Sequence, residues 1–361
     1  MKKYDEEAGF NNYVSPQSTD HFKPKLVSPS INPNLPDPAG PKVCCLMSPI
    51  PSDEELTLIT QQGINHVFTW VEDPQTTVEY LTALRKRCES YGLTLYNVGN
   101  RSRAKRWEWV CGDPLRDERI SKFIELLQIL KDSGIFLTTF TWEPDQVWSS
   151  HKNLIRGNTP ARACNMQIIE SLPNTHGREY SEEEVWENMK YWLDRVIPVA
   201  EKLGVRIALH PNDPPVPKIG GIPCLIRSKE AYDKVFEYVK ESKVLGMEFC
   251  CGCWLEGGEE FGPLYKSLAE FVQRGKVFIV HLRNVTSCLP DFTETFIDDG
   301  YGDVFEIILT LVKSGYTSSV ILDHTPYFNG EGGPFSATAY CNAYLKASIV
   351  AAEHVKNRLK E

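Results

Sequence analysis

Four residues far apart in the chain share one local setting: each closes a short apolar run. They are His210 after Arg206-Ile-Ala-Leu, Cys250 after Gly246-Met-Glu-Phe, His281 after Val277-Phe-Ile-Val and Asp323 after Ser319-Val-Ile-Leu. Runs of this kind read as buried strands. Beyond His210, Pro211, Pro214, Pro215 and Pro217 cannot donate ladder hydrogen bonds, so they end the strand and hold Asn212 and Asp213 in a stiff loop. Two imidazoles, a thiolate and a carboxylate suit a borderline divalent ion such as Mn2+, Fe2+, Co2+ or Zn2+. Mg2+ and Ca2+ prefer shells made only of oxygen. One His or Cys at a strand end is more often structural than a ligand, but four donors ending four successive strands reverse those odds.

The sulfur donor has rivals within the same motif. Cys250-Cys-Gly-Cys253 contains a C-x-x-C spacing, yet no second pair exists to complete a structural thiolate cage. A single thiolate, Cys250, is the preferred reading, with Cys251 and Cys253 open because the pattern does not set the strand register. The remaining cysteines, Cys44, Cys45, Cys88, Cys111, Cys164, Cys224, Cys288 and Cys341, are scattered, and burial as reduced core thiols is the plainer reading.

The elements that must position these donors alternate regularly. Strands are expected at 43–47, 66–71, 94–98, 135–142, 206–210, 246–250, 277–281 and 319–323. Helices are expected from Ser52, with Ser52 and Glu55 spaced as a capping box, and at 77–91, 117–133, 182–203, 229–239, 263–273, 303–312 and 336–359. Eight strand-helix units imply a (β/α)8 TIM barrel over residues 42–361, in which the C-terminal strand ends converge on one face. A doubly wound sheet is disfavoured, since Gly257-Gly258 and Gly332-Gly333 are isolated pairs outside any strand-turn-helix phosphate loop. Residues 1–41, rich in Pro, Ser, Asn and Lys, read as an irregular arm on the body or against a neighbouring subunit, which leaves room for a homo-oligomer. The stretch 143–181 reads as a long excursion. On the helix that follows, Trp186, Met189, Trp192, Leu193 and Val196 form a stripe expected to pack on the sheet.

Composition narrows the partners. A formal net charge of -9 argues against a phosphate-backbone binder, so no nucleic acid is expected. No apolar run has signal-peptide or membrane-span length, and a cytoplasmic protein without a membrane partner is expected. The odd count of 11 cysteines in a long chain fits that setting.

Leu209-His-Pro-Asn-Asp-Pro-Pro215, the Cys-x-Gly step at Cys250 to Gly252, His281-Leu-Arg-Asn284, Phe292-x-Glu294 and Asp323-His324 follow one another with the spacing of a known family. In these motifs, from about Trp186 to the end, the chain resembles the mannonate dehydratases of the xylose-isomerase-like barrels. The resemblance implies removal of water from a sugar acid, mannonate, to give 2-keto-3-deoxygluconate. It also implies a divalent metal, Mn2+ first, on His210, Cys250, His281 and Asp323. The chain departs from the family pattern at Thr293, Ile297 and Phe335, where polar or proton-transferring residues are expected, which points to a shifted substrate or reaction. Tyr327 or Tyr340 could replace the missing hydroxyl.

A metal chelated by vicinal oxygens would stabilise the charge that develops when an α-proton leaves. His324, beside Asp323, has a side chain suited to proton transfer; its plainer role is as a partner of that carboxylate. Arg283 could clamp a substrate carboxylate or form a rim salt bridge, and Glu294 could bind hydroxyls or tune His324. Arg101-Ser-Arg-Ala-Lys-Arg106, with Trp107 and Trp109, is either a solvated loop or a part of the substrate rim. Two other functions stand against dehydration: isomerisation or epimerisation of a keto-sugar, and binding of a sugar or metal without catalysis.

Overall fold

The computed structural model describes residues 36–144 and 148–359. The expected N-terminal arm therefore lies outside the described residues except for 36–41. There the Gly40 amide donates to the Asp37 carbonyl at 2.8 Å and the Asp37 amide to the Glu353 carboxylate at 3.0 Å.

Eight parallel strands form the body: β1 (Lys42–Leu46), β2 (His66–Val71), β3 (Thr94–Asn100), β4 (Leu137–Thr141), β5 (Arg206–His210), β6 (Leu245–Cys250), β7 (Val277–Leu282) and β8 (Ser319–Leu322). Hydrogen-bonded pairing runs β3-β2-β1-β8-β7-β6-β5-β4. The Thr138 hydroxyl, donating to the Val98 carbonyl at 2.7 Å, spans the remaining step from β4 to β3. The chain is thus a TIM barrel, as the alternation of apolar runs and amphipathic segments implies.

Side chains alternate across each strand, so every second residue points into the barrel. Cys44, Phe68, Leu137, Ala208, Ile279 and Ile321 fill the interior with Phe278. The donors come two residues later on β5, β7 and β8, which lifts them from the apolar layer to the mouth. Outside the barrel, the helix Glu182–Leu203 carries the aromatic stripe. Trp192 stacks on Phe140 at 4.4 Å and meets Trp109 and Phe123, which makes the stripe core. Full burial of side chains this large contributes about 1.5–3 kcal/mol each.

The excursion 143–181 carries strands of its own: His151–Ile155 and Thr159–Asn165 pair antiparallel and continue into Asp291–Thr295 and Asn284–Val285, giving a four-stranded sheet beside the mouth. Its strands carry Lys152, Asn153, Pro160 and Arg162, which hide the period-two pattern of a strand. Cys288 is exposed in the loop between the last two of these strands, so it is not a core thiol.

Candidate active site and metal centre

His210, Cys250, His281 and Asp323 each bring one ligand atom to a common centre, all four atoms lying within 4.8 Å of one another. The barrel thereby brings together the four donors named from sequence. His210 and Cys250 are buried, while His281 and Asp323 remain partly open, giving the centre one accessible side. Cys250 Sγ lies 3.4 Å from Asp323 Oδ2.

Each imidazole has one nitrogen tied back. His210 Nδ1 is 2.7 Å from the Pro211 carbonyl and donates to it, which frees Nε2 for the centre. His281 Nε2 is 2.7 Å from Glu248 Oε1, and its Nδ1 is buried without a hydrogen-bond partner, 3.7 Å from Asp323 Oδ2. An orphaned ring nitrogen facing a thiolate and a carboxylate is the arrangement a divalent ion satisfies.

Electrostatics distinguish the three sulfurs. Burial opposes ionisation of Cys250, but a hydrogen bond from the Cys253 thiol and the nearby Arg283 hold it well below the usual thiol range. Burial pushes the Cys251 and Cys253 thiols well above that range. Of the three sulfurs, Cys250 is therefore the one whose surroundings favour ionisation, with Cys253 as its donor. The surrounding negative charge also acts on His210. Burial lowers its affinity for a proton, yet the Cys250 thiolate and Glu248 raise its pKa to about 9. A cation binding here takes the place of such protons.

Arg283 lies behind this centre with no exposure at all. Its Nη1 is 2.6 Å from Asp323 Oδ2 and 3.0 Å from Asp213 Oδ2, and its Nη2 is 2.7 Å from Glu256 Oε1. The donors expected to face a substrate carboxylate are thus taken by protein carboxylates. Asp213 is held well below the usual carboxylate range because Arg283, His324 and Arg162 together outweigh the opposing effect of burial. Gly252 makes this possible, since a Cβ there would fall on the Arg283 guanidinium; this is the physical reason for the Cys-x-Gly step.

His324 sits one residue past Asp323, its Nδ1 2.9 Å from Glu294 Oε1 and its Nε2 3.4 Å from Asp213 Oδ2. Burial lowers its pKa, but Asp323, Asp213 and Glu294 prevail over burial and Arg283 and raise it to about 10. Arg162, a residue that pattern reading missed, reaches this pair from the accessory sheet. Its Nη1 is 3.1 Å from Glu294 Oε1 and 2.9 Å from the His324 ring, and a quarter of its side chain is exposed. No apolar periodicity marks its strand, so the sequence signal was absent.

The departures at Thr293, Ile297 and Phe335 now have places. Strand alternation puts Thr293 on the face opposite Glu294, where its hydroxyl accepts from Asn153 at 2.8 Å. Ile297 is fully buried, and Phe335 is exposed in the first turn of the last helix, Gly333–Arg358. The Tyr340 hydroxyl donates to Asp298 at 2.8 Å, and Tyr327 is exposed. In the basic loop, Arg103 pairs with Asp73 at 2.7 Å and Arg106 with Glu108. Lys105 alone joins the proline-rich loop, through Glu143 at 2.5 Å, and Glu143 accepts from the Asp213 amide. Trp107 stacks on His176 and Trp109 is core.

The family model for D-mannonate dehydratase (UxuA) matches residues 165–357, more than half of the chain. The chain belongs to the D-mannonate dehydratase family. Over 294 residues it is 26% identical to a mannonate dehydratase of Lactococcus lactis subsp. lactis, covering 71% of this chain and 80% of that protein. Its fold is similar to the crystal structure of mannonate dehydratase from Streptococcus suis serotype 2, with a TM-score of 0.75 at 20% identity over 87% of this chain and 95% of that one. An L-ribulose 3-epimerase is similar at a TM-score of 0.60 and 11% identity, over 89% and 98% of the two chains, which is likeness of fold alone. Membership of the D-mannonate dehydratase family places the chain among hydro-lyases, and together with the donor group it points to a divalent metal. Among the described residues no helix is long and apolar enough to cross a membrane.

Proposed function

We propose that this chain removes water from a sugar acid of the mannonate type, with a divalent ion, manganese first, held by His210, Cys250, His281 and Asp323. The observation that carries the proposal is the convergence of those four donors within 4.8 Å in a chain of this family. The bound ion would polarise vicinal oxygens of the substrate and stabilise the enolate-like charge at its α-carbon.

The protein supplies the rest of the chemistry. Dehydration takes a proton from the α-carbon and releases the neighbouring hydroxyl as water, leaving an enol that tautomerises to the keto acid. His324 and Glu294, 2.9 Å apart, form the proton-transferring pair. The imidazolium of His324 gives its proton to the departing hydroxyl, and the Glu294 carboxylate takes the α-proton. Arg283 holds Asp323, Asp213 and Glu256 in place, and Arg162, at the accessible edge, is the guanidinium for a substrate carboxylate. Thr293, Ile297 and Phe335 carry no proton-transferring group, so the reaction depends on His324 and Glu294, and the preferred hexonate can differ from mannonate.

The test is incubation of the purified protein with Mn2+ and a panel of hexonates and keto-sugars, with product mass measured. Loss of one water from a hexonate is expected. Conversion of a keto-sugar at unchanged mass, with no hexonate dehydrated, would replace this reading by isomerisation.

A further inference from the structure

Three of the four ligand-bearing strands place an apolar residue two positions before the donor: Ala208 before His210, Ile279 before His281 and Ile321 before Asp323. On β6 the same position, before Cys250, is Glu248. Alternation sends Glu248 into the barrel with Cys250, and it is 2% exposed. Its Oε2 accepts from the Thr139 hydroxyl, its Oε1 lies 2.7 Å from His281 Nε2, and among the described residues His281 is the one ion-pair partner it has. A buried carboxylate costs several kcal/mol unless it is paired and its hydrogen bonds are made, so an apolar residue would be the ordinary choice here.

We infer that Glu248 is a positioning residue that accepts a hydrogen bond from the Nε2–H of His281 and so fixes the ring with Nδ1 turned to the centre of the four donors. The inference rests on the metal reading of the site and adds to it a residue outside the four donors. His210 has the Pro211 carbonyl for the same task, at 2.7 Å from Nδ1. His281 has no such backbone group on Nε2, and without Glu248 either nitrogen could carry the proton and the ring could turn over. The carboxylate also makes the imidazole a stronger donor.

The experiment titrates cobalt(II) chloride into chelator-stripped, full-length protein, reading affinity by competition with a chromophoric chelator and geometry from the visible spectrum. Glu248→Leu restores the apolar pattern of the other strands, and Glu248→Gln keeps an oxygen that can accept from Nε2. The wild type is expected to bind one Co2+ with a thiolate-to-cobalt band. Glu248→Leu should bind about 10–100-fold more weakly, keeping the thiolate band while the ligand-field bands shift, and Glu248→Gln should recover most of the affinity. Wild-type affinity and spectrum in Glu248→Leu would overturn the inference and leave the metal site standing. Equal weakness in Glu248→Gln and Glu248→Leu would overturn it too, because charge or direct ligation rather than ring orientation would then be at work. Failure of the wild type to bind cobalt would overturn both readings together.

Discussion

His210 and His281 face one another with ring centroids 5.2 Å apart and turn different nitrogens to the same centre, Nε2 and Nδ1 respectively. The difference follows from what stands behind each ring. A backbone carbonyl next in sequence reaches Nδ1 of His210, whereas a carboxylate from the adjacent strand reaches Nε2 of His281. The two rings are thus oriented by independent devices.

The sulfur assignment predicts unequal effects within one motif. Cys250→Ser should lose bound metal after dialysis, measured by elemental analysis, while Cys251→Ser should keep it. Cys253→Ser should fall between them, since Cys253 donates to the Cys250 thiolate without ligating. Equal loss from Cys250→Ser and Cys251→Ser would show that the wrong sulfur has been chosen.

Metal removal should lower thermal stability. An ion at a hundred times its dissociation constant stabilises the folded state by about 2.7 kcal/mol, so chelation should shift the melting temperature downward. The gain should shrink as pH falls, because protons compete for the thiolate, imidazoles and carboxylate. An unchanged melting temperature with and without chelator would speak against ligation by folded-state groups.

His324→Gln should separate chemistry from binding. Turnover should fall by a factor of about 10²–10⁴, the usual cost of losing a positioned acid or base, while metal content stays at the wild-type level because His324 is not a ligand. Loss of metal in parallel with activity would return His324 to the plainer role of partner to Asp323.

Arg283→Met should act on the fold. It leaves Asp213, Glu256 and Asp323 facing one another without their shared guanidinium, and breaking a buried pair of this kind costs about 3–5 kcal/mol. Urea unfolding of the metal-free protein measures this, and adding Glu256→Gln should return part of the loss. Full stability in Arg283→Met would mean that the carboxylates are paired elsewhere.

The four candidate donors were legible because each ends an apolar run at a point where the chain must turn, and a barrel gathers such ends. Glu248 was not, because a single charge inside an apolar run looks like an imperfection; its signal was the spacing of two from Cys250, which shares its face. Arg162 lies on a strand whose polar residues hide the alternation, and only the Gly157-Asn158 step, at φ 70° and 59°, punctuates that hairpin. Arg283 reads as a rim residue from its place after a strand. Only tertiary structure brings Asp213, Glu256 and Asp323 around it, from two separate loops and the short helix Cys251–Gly257.

X-ray absorption at the zinc edge of zinc-loaded protein tests the metal centre most directly. The account predicts one sulfur at about 2.3 Å and two imidazole nitrogens at about 2.0–2.1 Å, with the sulfur lost in Cys250→Ser. A shell of oxygen alone, or a sulfur that persists in Cys250→Ser, would contradict it.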